Sequence, residues 1–254
     1  TDWQDLGIIK DELSKNILES LNIDFLENKE LELPESDPVA YEYYLRAKHL
    51  YKKRKNKDDT KITQELLNKA IDLDSNLVDA RLLLGNTYRD LSDNDNALLI
   101  YKKARNISEK LGDKKSVVDC NGYIASVFWM TGELDSILSI HKISYQISKE
   151  INNKHHMSES LDNIGMSHLR KGDYDSTIIY SKRALELYRD LDDKEGIAET
   201  YNSIGTAYNF LGDYENSIEF KKKALEIYIK IGDEEQLSTS YLFLGWDYNQ
   251  NGDH

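Results

Sequence analysis

The sequence predicts an all-α fold, a right-handed superhelical solenoid of antiparallel helix pairs. Its 254 residues include only 2 prolines and 13 glycines, too few turn-forming residues for an all-β fold of this length. Small residues recur at one constant step along most of the chain, and the apolar residues around them follow helical spacing. A fixed period of a few tens of residues is typical of solenoids, in which each helix pair packs only on its neighbours.

The first helix of each predicted pair contains a small residue that recurs every 40 positions. These residues are Gly85, Ala125, Gly165, Gly205 and Gly245. An aliphatic residue precedes each of them, and a ring follows three positions later, at Tyr88, Phe128, His168, Tyr208 and Tyr248. Spacings of three and four place these positions on one helical face, where the small residue allows a second helix to approach.

The second helix of each pair follows a turn that keeps the same period. The turn glycines are Gly132, Gly172, Gly212 and Gly252, and a second small residue recurs at Ala104, Ser144, Ala184 and Ala224. The Gly-Asp-Tyr sequences at 172–174 and 212–214 suit a helix that ends at glycine and an aspartate that caps the next helix. We therefore expect one helical hairpin in each unit.

These motifs resemble the tetratricopeptide-repeat (TPR) family, and the resemblance covers roughly Ala40 to the end of the chain. The step of 40 is longer than the ~34 usual in that family and lies near the HEAT and armadillo range, so the period alone does not decide. The small residues and the Gly-Asp-Tyr turn favour TPR. The longer step resembles the subclass found in Pins-type spindle-orientation adaptors, kinesin light chains and bacterial peptide-sensing regulators. Ser144, His168 and Ser75 depart from the family pattern.

The repeat divides the chain into an N-terminal amphipathic helix and linker at 1–33 and a TPR array at 34–254. The expected units are about 40–77, 78–117, 118–157, 158–197 and 198–237, with a partial unit at 238–254. The first unit is less regular than the others. It contains an enlarged basic loop from Lys52 to Asp59, which we expect to be a solvated turn.

Both ends of the sequence suggest a segment of a longer protein. The expected N-terminal helix has apolar residues at helical spacing, namely Leu6, Ile9, Leu13, Ile17 and Leu21. The stretch from Trp3 to Ala47 resembles the junction at which bacterial class III nucleotidyl cyclases, kinases or transcription regulators join a TPR array. At the other end, no second helix follows the turn at Gly252. We therefore expect the apolar helix around Trp246 to be covered by another chain or by further residues.

Charge and composition limit the expected partners. With 33 Lys and Arg against 46 Asp and Glu, the net charge of -13 repels phosphate backbones and anionic lipid surfaces. Cys120 is the single cysteine and cannot form an internal disulfide, and no apolar run reaches the ~20 residues of a membrane helix. We expect a cytoplasmic protein that binds neither nucleic acid nor membrane. Its expected partner is a neutral or basic protein or peptide, with a homodimer through the terminal helices as an alternative.

A stripe of side chains, offset by one position from the small residues, is predicted to line the concave face and to bind the partner. The stripe consists of Asp79, Asn86, Arg89, Asp119, Trp129, Glu159, Met166, Glu199, Asn202, Asn209 and Trp246. Amides can pair with an extended peptide backbone, and the large apolar members can hold its side chains. Arg89 is the single cation of the stripe, unlike the Lys, Asn and Arg clamp with which chaperone-binding TPR proteins hold a terminal carboxylate.

The carboxylates and two of the apolar residues in the stripe also have an interpretation that needs no ligand. The four carboxylates lie near predicted helix N-termini, where the helix dipole stabilises them. Trp129 and Met166 at helical spacing equally suit the core. Truncation of Asn202 and Asn209 separates the two interpretations, because we expect it to spare folding and to weaken binding of a ligand.

Catalytic, metal and cofactor motifs are absent from the sequence, which has no Walker loop, no Cys-x-x-Cys pair and no His-Glu-x-x-His helix. We expect the adjacent His155 and His156 to point in different directions and to form no metal site without further ligands. His141 and His168 occupy packing positions in neighbouring units. A pH-sensitive or metal-linked contact between them is one interpretation, and two neutral core histidines are the other.

The sequence therefore predicts a non-catalytic interaction module of a larger signalling protein, not an enzyme and without a cofactor. Two alternatives remain, namely a structural array that dimerises a fused cyclase, kinase or regulator, and a bacterial peptide-sensing regulator.

Overall fold

The computed structural model describes residues 37–252, and all the regular structure within this range is α-helical. The helices are α1 (Pro38–Lys53), α2 (Lys57–Leu73), α3 (Val78–Asp90), α4 (Asn94–Leu111), α5 (Lys114–Thr131), α6 (Leu134–Glu150), α7 (Lys154–Arg170), α8 (Tyr174–Asp190), α9 (Lys194–Phe210), α10 (Tyr214–Ile231) and α11 (Glu234–Asn251). Two compact units divide between Leu111 and Gly112. The amphipathic helix expected at the N-terminus lies outside the described residues.

The first unit contains α1 to α4, which pack in sequence order. Its core is formed by Ala40, Tyr44, Ala47, Leu67, Ala70, Leu77, Ala80 and Leu84. The enlarged basic loop predicted at 52–59 is wrong, because α1 runs to Lys53 and α2 begins at Lys57. Asn56 caps α2 through its side chain, and Arg54 lies over the ring of Tyr51 and pairs with Asp90. Helix propagation and this contact therefore shorten the connection to three residues.

The second unit contains α5 to α11, and its helices begin and end with the chemistry that the repeat predicts. The carboxylate of Asp173 accepts from the backbone N–H of Ser176 at 3.2 Å, and that of Asp213 accepts from the N–H of Asn216 at 3.1 Å. Gly132 ends α5 with a φ of 79°, a left-handed conformation that glycine adopts without strain. These caps satisfy backbone groups that a helix end would otherwise leave without partners.

The recurring glycines Gly165 and Gly205 lie where two helices meet, as predicted. A Cβ atom placed on Gly165 would lie 2.9 Å from Oγ of Ser181 in α8. A Cβ atom on Gly205 would lie 2.8 Å from Cγ of Lys221 and 3.1 Å from the backbone oxygen of Ser217 in α10. All three distances are shorter than ordinary van der Waals contacts. The glycines therefore set how closely the two helices of a pair approach.

Ser144, one of the departures from the family pattern, has a structural partner. The side-chain amide of Asn121 donates to Oγ of Ser144 at 3.1 Å, and both residues are buried. An alanine at 144 would remove the acceptor and leave a buried amide donor without that bond. The departure therefore accompanies a polar residue in the preceding helix.

None of the helices within 37–252 combines the length and the apolar character needed to span a membrane.

Candidate protein-interaction surface

In the second unit the stripe is carried by the first helix of each successive pair. Asp119 and Trp129 lie on α5, Glu159 and Met166 on α7, Glu199, Asn202 and Asn209 on α9, and Trp246 on α11. Helices α7 and α9 contact each other along this side, where Oγ of Ser203 donates to Sδ of Met166 at 3.3 Å. Oγ1 of Thr200 likewise donates to a carboxylate oxygen of Asp162 at 3.4 Å. The repeat thus aligns chemically different side chains along one side of this unit.

In the first unit the stripe is limited to α3, and two of its three members have partners within the protein. Oδ1 of Asn86 accepts from the hydroxyl of Tyr101 at 2.6 Å, and the guanidinium of Arg89 lies 3.8 Å from Asp90. Asp79 is exposed. The structure therefore gives Asn86 a role in joining α3 to α4, whether or not it binds a partner.

An acid-lined cleft lies between α7 and α9 in the second unit. Its volume is about 200 Å³. Its lining includes His155, Glu159, Tyr188, Asp193, Glu195 and Glu199. Two of these carboxylates, Glu159 and Glu199, belong to the predicted stripe, and the cleft is where the structure brings stripe residues of successive pairs together. Gly196 also lines the cleft, and its lack of a side chain allows α9 to lie against Tyr188, since a Cβ atom there would lie 2.5 Å from that ring.

Two carboxylates in and beside the cleft, Asp162 and Glu199, resist ionisation. Burial raises the pKa of Asp162 to about 7, and the charge of Glu199 contributes to this shift. Partial desolvation also raises the pKa of Glu199, with repulsion from Glu195 and Asp193 as the next causes. Like charges that share a site destabilise one another's charged forms. A cation placed in this cleft would therefore relieve repulsion that the unbound protein retains.

The two adjacent histidines do not point apart, so the predicted divergence of their side chains is wrong. Nδ1 of His155 lies 3.3 Å from Oε2 of Glu159, and Nδ1 of His156 lies 3.0 Å from the same oxygen. Nε2 of His156 also lies 3.4 Å from a carboxylate oxygen of Asp119 on α5. Glu159 lies one helical turn after the histidines, and this spacing returns its side chain to their side of α7.

The stripe amides on α9 are engaged within the protein. Nδ2 of Asn202 lies 3.4 Å from the hydroxyl of Tyr228, and Nδ2 of Asn209 donates to Oδ1 of Asp247 at 2.7 Å. Asp247 is fully buried and pairs with Nζ of Lys221 at 2.8 Å. We therefore expect truncation of Asn209 to affect folding as well as binding, because its loss leaves a buried carboxylate short of one donor.

The large apolar members of the stripe have different environments. Trp129 is partly buried, and the guanidinium of Arg170 lies 3.7 Å from its ring centre. Met166 is also partly buried. Trp246 is 63% exposed and lies on α11 with three other exposed large apolar side chains, Tyr241, Leu242 and Phe243. Trp129 and Met166 thus contribute to packing, whereas Trp246 presents an apolar surface.

His141 and His168 have separate surroundings. His141 is buried, and desolvation lowers its pKa to about 4. Nδ1 of His168 lies 3.0 Å from a carboxylate oxygen of Asp173, and its ring stacks on Tyr180 with centroids 5.3 Å apart. Both residues therefore fit the interpretation of packed histidines, and His168 also has local partners.

Glu195 and Asp193 line the cleft but were not among the predicted site residues. Asp193 caps α9, and Glu195 lies one turn before Glu199, so neither follows the stripe spacing. The repeat offered a signal, since Glu195 occupies the same repeat position as His155. A comparison of that position across units would have identified both walls of the cleft.

Comparison with known families identifies the class of protein. Two tetratricopeptide-repeat profiles match residues 78–114, 158–191 and 196–254, which together are just over half of the chain. The chain belongs to the tetratricopeptide-repeat family. No curated protein sequence matches it significantly.

Solved structures of known proteins share the fold. The apo form of RapI superposes with a TM-score of 0.74 at 16% identity, over 82% of this chain and 77% of RapI. Aspartyl phosphate phosphatase F from Bacillus subtilis superposes with a TM-score of 0.75 at 16% identity, over 99% of this chain and 72% of the phosphatase chain. A signal-transduction ATPase with a tetratricopeptide-repeat sensor, from Pyrococcus horikoshii, gives 0.72 at 18% identity, over 82% of this chain and 32% of that chain. At these identities the likeness concerns the fold alone.

Proposed function

We propose that this chain is a non-catalytic protein-interaction module that binds a polypeptide segment by a lysine or arginine side chain in the cleft between α7 and α9. The observation that carries the proposal is the gathering of Glu159, Glu195 and Glu199 around one cleft, beside Asp162, whose pKa is raised to about 7. A bound ammonium or guanidinium group would stabilise the ionised forms of these carboxylates.

The size of the cleft favours one side chain of a larger partner over a separate small molecule. Its volume of about 200 Å³ is below the roughly 300–1,000 Å³ of sites for drug-sized ligands. The rest of the partner would contact the stripe beyond the cleft, where Met166 and Asn202 lie on the same side of α7 and α9. The mechanism is surface complementarity, with the acidic cleft selecting the basic residue.

The proposal includes a role as a sensor within a larger signalling protein. One protein of similar fold is described as a signal-transduction ATPase with a tetratricopeptide-repeat sensor, and this chain aligns with only 32% of its length. The net charge of -13 also favours a basic partner, since it raises the local concentration of cations and opposes anionic surfaces.

Binding to a library of short random peptides, with a chelator present, tests the proposal. Peptides that bind the wild type should contain a lysine or arginine. The double variant Glu195→Gln with Glu199→Gln should bind them about 1.5–3 kcal/mol more weakly, as measured by calorimetry, because hydrogen bonds to charged groups are lost. The control Glu186→Gln with Glu226→Gln makes the same charge change at exposed positions of α8 and α10 and should bind as the wild type does. Equal weakening in both double variants would contradict the cleft as the site.

The pH dependence of the same binding adds a second readout. Asp162 is half protonated near pH 7, and a bound cation favours its ionised form. Affinity should therefore rise between about pH 6 and pH 8 and level off above, with proton release on binding near pH 7. The variant Asp162→Asn should lose this rise. An affinity that is constant over this range in the wild type would separate Asp162 from the binding site.

A second candidate function, a homodimerising array, is favoured by the exposed apolar side of α11. Leu242 is 71% exposed, Trp246 63%, Tyr241 59% and Phe243 52%. Contiguous exposed apolar side chains are unusual on a protein that acts alone. In this candidate the same side of a second copy covers α11.

A further inference from the structure

The start of α7 carries a group of nitrogen and oxygen atoms that converge on one point. Asn153 caps the helix by accepting from the backbone N–H of His156 at 3.1 Å, which fixes the first turn. One nitrogen of His155, one nitrogen of His156 and one carboxylate oxygen of Glu159 all lie within 4.8 Å of one another. Two imidazoles and a carboxylate at this spacing are a donor set that divalent transition metals prefer.

A side chain from another helix orients one of these imidazoles. Nε2 of His156 lies 3.4 Å from Asp119 on α5, while Nδ1 of the same ring lies 3.0 Å from Glu159. Histidine ligands in metal sites commonly donate their second ring N–H to a carboxylate, which fixes the tautomer and the ring orientation. With an ion bound and Nε2–H turned toward Asp119, Nδ1 of His156 would present its lone pair to the ion, beside Glu159 and His155.

The distances require only small side-chain movements to close around an ion. Bonds from Zn²⁺ to histidine nitrogen or carboxylate oxygen are about 2.0–2.2 Å, so the ligand atoms of one ion lie closer together than the limit of 4.8 Å within which these atoms fall. The side chains of His155 and Glu159 are 56% and 46% exposed and can rotate without disturbing the core. His156 is 13% exposed and is already held.

The chemistry of the donors selects the ion. Calcium and magnesium take oxygen ligands almost exclusively, whereas two imidazoles with one carboxylate suit Zn²⁺ and leave a fourth position for water or a partner's side chain. The neighbouring Glu195 and Glu199 on α9 line the same cleft and attract divalent cations electrostatically.

We infer that His155, His156 and Glu159 bind a Zn²⁺ ion, with Asp119 as the residue that positions His156. The ion would link α7 to α5 through the His156–Asp119 contact. The proposed Zn²⁺ site shares Glu159 and the cleft with the proposed peptide binding. The two can still be tested separately, since Glu195 and Glu199 can be altered without removing a metal ligand.

Competition with a chromophoric chelator measures the affinity of the chelator-stripped full chain for Zn²⁺. The wild type should bind one equivalent. His156→Gln and Glu159→Gln should each reduce the affinity at least tenfold. Asp119→Asn should reduce it by about 10–100-fold, the usual effect of removing the group that orients a histidine ligand. The control His168→Gln removes another histidine of α7, one that lies beside the carboxylate of Asp173. This variant should bind Zn²⁺ as the wild type does.

Two further readouts keep the test decisive. His155→Asn alters a largely exposed side chain, so its loss of binding cannot be attributed to misfolding, and circular dichroism verifies the fold of every variant. Co²⁺ in place of Zn²⁺ should give visible absorption bands of a four-coordinate site in the wild type and lose them in His156→Gln. Absence of a stoichiometric Zn²⁺ site, or equal affinity of the His155 and His156 variants and the wild type, would overturn the inference.

Discussion

His141 shows how one residue changes the character of a repeat position. The position is filled by Tyr101, Ser181 and Lys221 in other pairs, where it faces the small residue of the preceding helix. In α6 it holds an ionisable ring that is only 7% exposed, and this burial lowers the pKa of His141 to about 4. The ring is therefore neutral at pH 7, and its protonation opposes folding.

The pH dependence of stability should reveal this histidine. The folded-state pKa of about 4 is below the ordinary 6.5, so the unfolded chain binds more protons between these values and stability falls as pH falls through this window. The free energy of unfolding should fall through His141 by about 2 kcal/mol by pH 5 and by about 3 kcal/mol near pH 4. Urea unfolding of the wild type and of His141→Gln measures it as the difference between the two proteins at each pH.

That difference is needed because Asp162 acts in the opposite direction. Its folded-state pKa of about 7 is raised above the ordinary value, so its protonation as pH falls below 7 favours the folded state. Because both proteins contain Asp162, subtracting the stability profile of His141→Gln from that of the wild type removes the contribution of Asp162. A difference in unfolding free energy that stays constant from pH 7 to pH 4 would show that His141 is not buried as described.

At the scale of the helix pair, two glycines at the same repeat position have different neighbours. A Cβ atom on Gly205 would lie 2.8 Å from Lys221 and 3.1 Å from the backbone of Ser217, whereas a Cβ atom on Gly245 would meet nothing within 4 Å. The sequence treats them alike, since both follow an aliphatic residue and precede a tyrosine by three positions. Only the presence of α10 beside α9 distinguishes them.

Matched substitutions test this difference. Gly205→Leu should overpack the contact between α9 and α10 and lower the free energy of unfolding by about 1–3 kcal/mol. Gly245→Leu should change it by no more than about 0.5 kcal/mol, apart from a gain in helix propensity. Chemical unfolding of both variants measures the two effects, and equal losses would show that the cost arises from the helix and not from packing.

The helix pairs and their turns could be predicted from the sequence because residues 40 positions apart occupy equivalent places in successive pairs and meet the same packing requirements. Gly165 and Gly205 lie against the next helix as their spacing requires. The contacts of individual side chains were harder to predict, because they depend on the neighbouring unit. Asn209 has the spacing of a ligand-binding amide, yet its partner is the buried Asp247 two helices later. His156 likewise meets Asp119 only once α5 and α7 are adjacent.

At the scale of the whole molecule, net charge and apolar surface favour different kinds of association. The charge of -13 repels a second copy and attracts a basic peptide. Salt screens both effects. Peptide binding in the cleft should therefore weaken as ionic strength rises, whereas contact between apolar surfaces of two copies should strengthen. The two candidate functions thus have opposite salt dependence.

Self-association through α11 follows from this contrast and from the surroundings of Gly245. The α7 and α9 positions equivalent to Gly245 are covered by a following helix, whereas α11 presents Leu242 and Trp246 to solvent. If the second candidate holds, sedimentation velocity should show a monomer–dimer equilibrium that shifts toward dimer with added salt, and Leu242→Glu with Trp246→Glu should remain monomeric. The control Ile179→Glu places a charge at another apolar residue, 58% exposed on α8, and should dimerise as the wild type does. A wild type that stays monomeric at every salt concentration would eliminate the dimer and leave the acidic cleft as the surface through which this chain associates.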